Sequence, residues 1–235
     1  AEKVWTTSPA MVRSHREKYG VDTDFLFHFV DLDAYRSLPV TVSPPEDKIR
    51  VIYTGSINGM FRETMELFCD WLNAGVEIDG RPVEMVIYTP LEPTRYLGNR
   101  VQWGGFVPME EVPNRLMQGH LAVVLVSFTD QPALKTLIKT SLYTKTIDYL
   151  AAGSPTLVVS PPYSGQVDYF GDVTHVVDAW DPDRVREAIR LLALDASTRT
   201  AMRESGYARV AERHSYDSLE RLFLSYFRKP EVLEA

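Results

Sequence analysis

Two stretches of this 235-residue chain carry residue types and spacings suited to holding an anion. The first is "TKTIDYLAAGSPTLVV", residues 144–159, which reads as a helix, a glycine stop, a proline and an apolar strand. Thr144 is placed as the N-cap, where a hydroxyl accepts from a backbone N–H of the first turn. Lys145 and Asp148 then fall on the first turns, and the i, i+3 and i, i+4 spacings gather all three residues on one side. Free N–H groups at a helix start attract anions, and Lys145 adds a point charge to them. An ionised Asp148 is acceptor-only and suits the vicinal diol of a ribose. The same carboxylate would also serve by complementing the helix dipole and pairing with Lys145, and chemistry alone leaves both readings open.

The second stretch is "TGSINGMFRE", residues 54–63. Gly55 at a strand end lets a ligand approach the backbone, because no Cβ stands in the way. Arg62, seven residues on at the start of a helix, could fork onto phosphate oxygens with help from the helix dipole. A tight turn with a solvated arginine is the ordinary alternative, since the pattern is neither a Walker A loop nor GxGxxG. The segment 128–143 reads as a long strand-to-helix loop that brings Lys135 and Lys139 toward the same end.

Other chemistries find little support. The five histidines have no metal-ligand spacing, the only cysteine is Cys69 in an apolar helical pattern, and no metal site is expected. Ser141 and Ser164 lack a G-x-S-x-G context. A net charge of −7 argues against a nucleic-acid partner. No apolar run reaches the ~20 residues of a membrane span, and a single cysteine fits a reducing compartment, so a cytoplasmic location is expected. The chain begins at Ala1 with a strand already under way, which suggests a piece of a longer protein.

The elements that position these residues alternate regularly. Residues 3–20 read as a strand and a helix, with Ser8 as N-cap, Pro9 in the first turn and Gly20 as the stop. "DFLFHFVDLD" (24–33) reads as a second strand, and the proline-rich 36–48 as a linker. Strands follow at 49–56, 83–89, 101–107, 121–127, 155–160 and 172–178, with helices at 62–75, 109–119 and 144–153 between them. Amphipathic helices close the chain at 181–194 and 197–227. This order predicts an α/β fold, a Rossmann-like parallel sheet with helices on both faces. Ligands of such sheets bind beyond the carboxyl ends of the strands, where both candidate stretches lie.

The order of motifs resembles the C-terminal half of GT-B glycosyltransferases of the group 1 type. "VIYTGS" with Arg62, "VQWGGFVPMEEVPNRLMQGHLAVVLV", the 144–159 block and the closing helices are each similar to that family's segments, over roughly residues 48–227. The resemblance implies a domain that binds a nucleotide-sugar donor as substrate, with no further cofactor, and transfers the sugar with retention. It implies that Asp148 accepts the ribose hydroxyls, that Arg62 and Lys145 meet the diphosphate beside Gly55 and Thr144, and that Phe106 and Val107 hold the base. Ser164, Gly165 and Gln166 fall where a sugar-side loop is expected. The sequence departs from the family at Thr140, where the first glutamate of a Glu-x7-Glu pair usually stands, and at Ser56, where an arginine is common. Asp148 itself replaces a glutamate.

The resemblance also implies an organisation: residues 1–35 as the end of an N-terminal domain, 36–47 as linker, 48–205 as the donor domain, and 206–235 as a helix crossing back. On that reading most of the acceptor domain lies outside the chain, and the piece alone is inactive. Its partners would be the nucleotide sugar and a glycan, lipid-linked or small-molecule acceptor, with room for peripheral membrane association through the absent domain. A non-catalytic module of the same fold, serving assembly or ligand sensing, is the alternative. A sugar-nucleotide epimerase would need acid/base residues that have no evident place.

Overall fold

The computed structural model describes residues 4–37 and 43–227. A short N-terminal unit comes first: β1 (Trp5–Thr6), α1 (Pro9–Tyr19), β2 (Asp24–Phe25) and α2 (Leu32–Ser37). The expected ends of α1 are realised, with the Ser8 hydroxyl accepting from the Met11 N–H and Gly20 in the left-handed region at φ 65°. The strand expected over 24–33 shrinks to Asp24–Phe25 plus one bridge from Val30 to Ser215. Its partner β1 spans two residues, Trp5 and Thr6, so among the described residues the pairing goes no further. The linker expected over 36–47 begins inside α2 and lies partly outside the described residues.

The main sheet is built from β3 (Ile49–Thr54), β4 (Glu77–Ile78), β5 (Arg81–Tyr88), β6 (Val101–Gly105), β7 (Leu121–Leu125), β8 (Thr156–Val159) and β9 (His175–Val177). β6 pairs with β5, and the order continues β5-β3-β7-β8-β9, all parallel. Leaving out β4, that is the doubly wound order 3-2-1-4-5-6, whose direction of winding reverses between β3 and β7. β4 is an antiparallel addition to β5, turned by Asp79 and Gly80 at φ 50° and 74°. An Asp-Gly pair at positive φ is the usual two-residue hairpin signal.

Strand pleating divides the core between two helical layers. On β3, Ile49, Val51 and Tyr53 join one cluster with Met65, Phe68 and Leu72 of α3 (Arg62–Asn73), while Ile52 joins the other. On β7, Val123 and Leu125 follow the first set, and Ala122 and Val124 the second. The second cluster takes Leu116 of α4 (Val112–Met117), Ile138 of α5 (Pro132–Thr140) and Tyr149 of α6 (Thr144–Ala151). Full burial of a leucine or phenylalanine contributes about 1.5–3 kcal/mol, so these stripes fix which way each helix faces.

α5 is a correction, because 128–143 was expected to be a loop. It is a nine-residue helix with Pro132 in its first turn and Ile138 as its buried side chain. After β8 come α7 (Gly165–Phe170), α8 (Pro182–Leu194), α9 (Ala196–Arg213) and α10 (Tyr216–Phe227). The helix expected over 197–227 is thus two, broken where His214 turns inward to Tyr169 Oη and the His28 carbonyl. α10 lies against the N-terminal unit, with Tyr226 donating to Asp24 and its ring edge-on to Trp5. No helix among the described residues is long and apolar enough to cross a membrane.

Candidate functional site

β3, β5 and β6 end at a cleft of about 510 Å³, closed on the far side by the start of α6. Gly55, Phe106, Val107, Thr144, Lys145 and Asp148 all line it, at the switch point of the sheet. Gly55 leaves β3 at φ 97°, a conformation that favours glycine, and its N–H donates to the Tyr88 carbonyl. Thr144 is not the cap. Tyr143 holds that position without a side-chain bond, and Thr144 is the first helical residue, exposed in the cleft wall. The helix start therefore keeps its N–H groups uncapped by any hydroxyl.

Lys145 is the unusual group. It is 8% exposed, and its Nζ donates to Tyr53 Oη at 2.6 Å while lying 3.9 Å from the Tyr53 ring centre and 4.4 Å from that of Phe61. A Cβ at Gly55 would sit 3.5 Å from the Lys145 Cε and Nζ, so the ammonium lies directly behind the glycine. No carboxylate among the described residues forms an ion pair with it. Burial pulls its pKa from 10.5 down to about 7. The pairing of Lys145 with Asp148, one of the two readings left open, does not occur. The rings come from β3 and the turn after it, and Tyr149 Oη accepts from the Thr54 N–H at 2.9 Å, locking α6 to the end of β3.

Asp148 is 6% exposed and is held instead by the N-terminal unit. Tyr35 Oη donates to its Oδ1 at 2.7 Å, and His28 Nε2, buried and without a hydrogen bond among the described residues, lies 3.7 Å from the same oxygen. Burial and then the adjacent carboxylate push the Tyr35 phenol far up, so it stays a donor. Oδ2 has no protein partner among the described residues and is not among the buried unbonded atoms. That leaves it free to accept from a ligand in the cleft.

Two expected groups sit elsewhere. Arg62 begins α3 but is exposed, and lines an adjoining cavity of about 310 Å³ that shares Ser56, Thr89 and Pro90 with the cleft. Ser164, Gly165 and Gln166 are buried and structural: Ser164 caps α7, and Gln166 bonds the Tyr143 N–H and the Thr146 hydroxyl. Gly165 is required there, because a Cβ would come within 2.9 Å of the Lys139 and Ser141 carbonyls. Lys135 stacks on Tyr163. Thr140, at the position of the missing glutamate, donates back to the Thr136 carbonyl within α5. The sequence reading missed Tyr35, His28, Tyr53 and Phe61. Among the described residues no group of three His, Cys, Asp or Glu could hold a metal ion.

The doubly wound sheet, with an anion-ready helix start at its switch point, has the architecture of a Rossmann-like half of a GT-B fold. A family model described as "Glycosyl transferase-like" matches residues 62–224, and the chain belongs to that family. Sucrose-phosphate synthase from Thermosynechococcus elongatus is similar in structure at a TM-score of 0.66 and 15% identity, over 97% of this chain and 59% of that one. So is WaaG, a glycosyltransferase involved in lipopolysaccharide biosynthesis, at 0.66 and 11%, over 97% and 63%. A mutant of S. aureus TarM in complex with Fondaparinux, alpha-GlcNAc-glycerol and UDP matches at 0.65 and 13%, over 97% and 44%. At such identities the likeness is one of fold, and the chain spans less than two thirds of each of these proteins. No curated protein matches in sequence.

Proposed function

We propose that this chain binds the nucleoside diphosphate of a nucleotide-sugar donor, and that the protein it forms or belongs to transfers the sugar to an acceptor, with retention. The observation that supports this is Lys145, a buried amine with no carboxylate beside it among the described residues, directly behind Gly55. A buried charge is costly until it is paired. A diphosphate lying across Gly55 and the start of α6 would pair it, with the helix N–H groups completing the contacts. The ribose diol would donate to Asp148 Oδ2, and the base would lie toward Phe106 and Val107, at the outer wall of the cleft. Arg62, in the adjoining cavity, would meet the outer phosphate or the sugar.

In transfer, the positive groups stabilise the charge that develops on the leaving diphosphate as the glycosidic bond breaks. Thr140 offers no carboxylate, so recognition of the sugar falls to other residues. The non-catalytic alternative keeps the same nucleotide site and differs only in turnover. Isothermal titration with UDP, GDP and ADP tests the site: saturable binding of at least one is expected. A folded chain that binds none of them at millimolar concentration refutes the proposal. Release of nucleoside diphosphate from a nucleotide sugar then separates enzyme from module.

A further inference from the structure

The strands of the sheet begin around a second cavity of about 610 Å³, larger than the cleft and at the opposite end of the domain. Arg199 and Arg203, one turn apart on α9, line it together with Arg81 at the start of β5. None of these guanidinium groups forms an ion pair among the described residues, although Arg199 donates to the Ala193 carbonyl. His120, just before β7, accepts the Arg50 N–H on Nδ1 at 3.1 Å, which leaves the ring hydrogen on Nε2. Burial, then Arg199, Arg81 and Arg50, pull its pKa down to about 4, so the ring is neutral and senses the local positive field. Ser154, before β8, is 7% exposed, and among the described residues its hydroxyl has no hydrogen-bond partner. The acids in the lining are Glu46 and Asp79, and Asp79 also lies in the field of Arg190.

We propose that this cavity is a second binding site, for a small phosphorylated polyol whose phosphate is gripped by Arg81, Arg199 and Arg203. Guanidinium forks match phosphate oxygens, and unpaired ones converging on one cavity leave an anion as the complementary ligand. The volume exceeds what a bare phosphate fills and falls within the ordinary range for small-molecule sites. Glu46 and Asp79 accept from hydroxyl groups and repel a second phosphate, which favours a polyol monophosphate over a diphosphate. None of these residues lines the cleft, so the two cavities do not overlap.

The test is an NMR titration of the chain with glucose 6-phosphate, read at the His120 ring protons, with glucose and inorganic phosphate as comparators. Saturable shifts with glucose 6-phosphate are expected, together with a rise in the His120 pKa as the arginine field is neutralised. Arg199→Gln and Arg203→Gln should each weaken binding about tenfold, while Lys145→Met leaves it unchanged. Arg203 is exposed, so its variant remains informative should Arg199→Gln, which gives up the bond to Ala193, fold poorly. Absence of saturation at millimolar ligand overturns the proposal. So does equal affinity for inorganic phosphate, which would mean a bare-anion site, or loss of binding in Lys145→Met, which would move the ligand to the cleft.

Discussion

Replacing Lys145 with methionine should make the stability of the chain depend less steeply on pH, and the size of the change follows from burial. The ammonium has a pKa of about 7 when folded, against 10.5 when exposed. Between those values the folded chain binds fewer protons than the unfolded chain, so Lys145 makes stability rise with pH across that window. Integrating the two titrations, its burial costs ~4 kcal/mol near pH 7 and ~1.4 kcal/mol near pH 9.5. Methionine has similar reach and no charge, and Tyr53 Oη keeps its bond to the Ser56 carbonyl. All other titrating groups are common to both proteins and cancel. Urea unfolding of the two at both pH values should therefore show the wild type gaining about 3 kcal/mol relative to Lys145→Met as pH rises. In a chain of this size that is a relative shift in Tm of roughly 6–12 °C. A stability difference that stays flat with pH would refute the burial of an unpaired lysine, and with it the argument for an anion at that point.

Four further outcomes follow from the geometry. Tyr35→Phe removes the donor on Asp148 Oδ1, and should weaken ribonucleoside diphosphate binding several-fold while sparing 2′,3′-dideoxy analogues; equal losses for both would mean that Tyr35 does not act through the diol. Gly55→Ala forces a side chain onto φ 97°, which should cost about 1 kcal/mol or more in denaturant unfolding and depress nucleotide affinity as the turn shifts. Ser164→Ala should cost about 1 kcal/mol of stability through the lost cap of α7 and leave nucleotide affinity as it was, since Ser164 lies outside the cleft. Arg62→Ala should leave stability within about 0.5 kcal/mol and weaken nucleotide-sugar binding more than nucleoside diphosphate binding, as titration of both ligands would reveal.

Much of this fold is legible in the sequence, because its elements carry local signals. Ser8, Pro9 and Gly20 delimit α1 from their own conformational preferences, and the apolar runs of β3 and β7 could be buried only between two helical layers. The Asp79-Gly80 hairpin was legible in principle and passed over. α5 carried a signal too, with Pro132 in its first turn and Leu134, Leu137 and Ile138 at helical spacing, but it is nine residues long with one fully buried side chain, and a helix that short leans on tertiary contact. The candidate site divides in the same way. Gly55, Lys145 and Asp148 belong to strand-end and helix-start patterns and could be named from them. What holds them could not be: Tyr35 reaches Asp148 across 113 positions, and Tyr53 reaches Lys145 across 92. Ser164 misled because a hydroxyl before a short helix reads the same whether it caps the helix or faces a ligand.

On the proposed reading, a bound diphosphate supplies Lys145 with the anionic partner that the described residues lack. Calorimetric titration of the tightest-binding of UDP, GDP and ADP near pH 8, repeated in buffers of different ionisation enthalpy, counts the protons taken up on binding. The free chain holds Lys145 mostly neutral at that pH, and a bound diphosphate would recharge it. Uptake close to one proton by the wild type, and none by any residual binding to Lys145→Met, is the predicted result. Binding of undiminished affinity to Lys145→Met, or binding by the wild type without proton uptake, would contradict it.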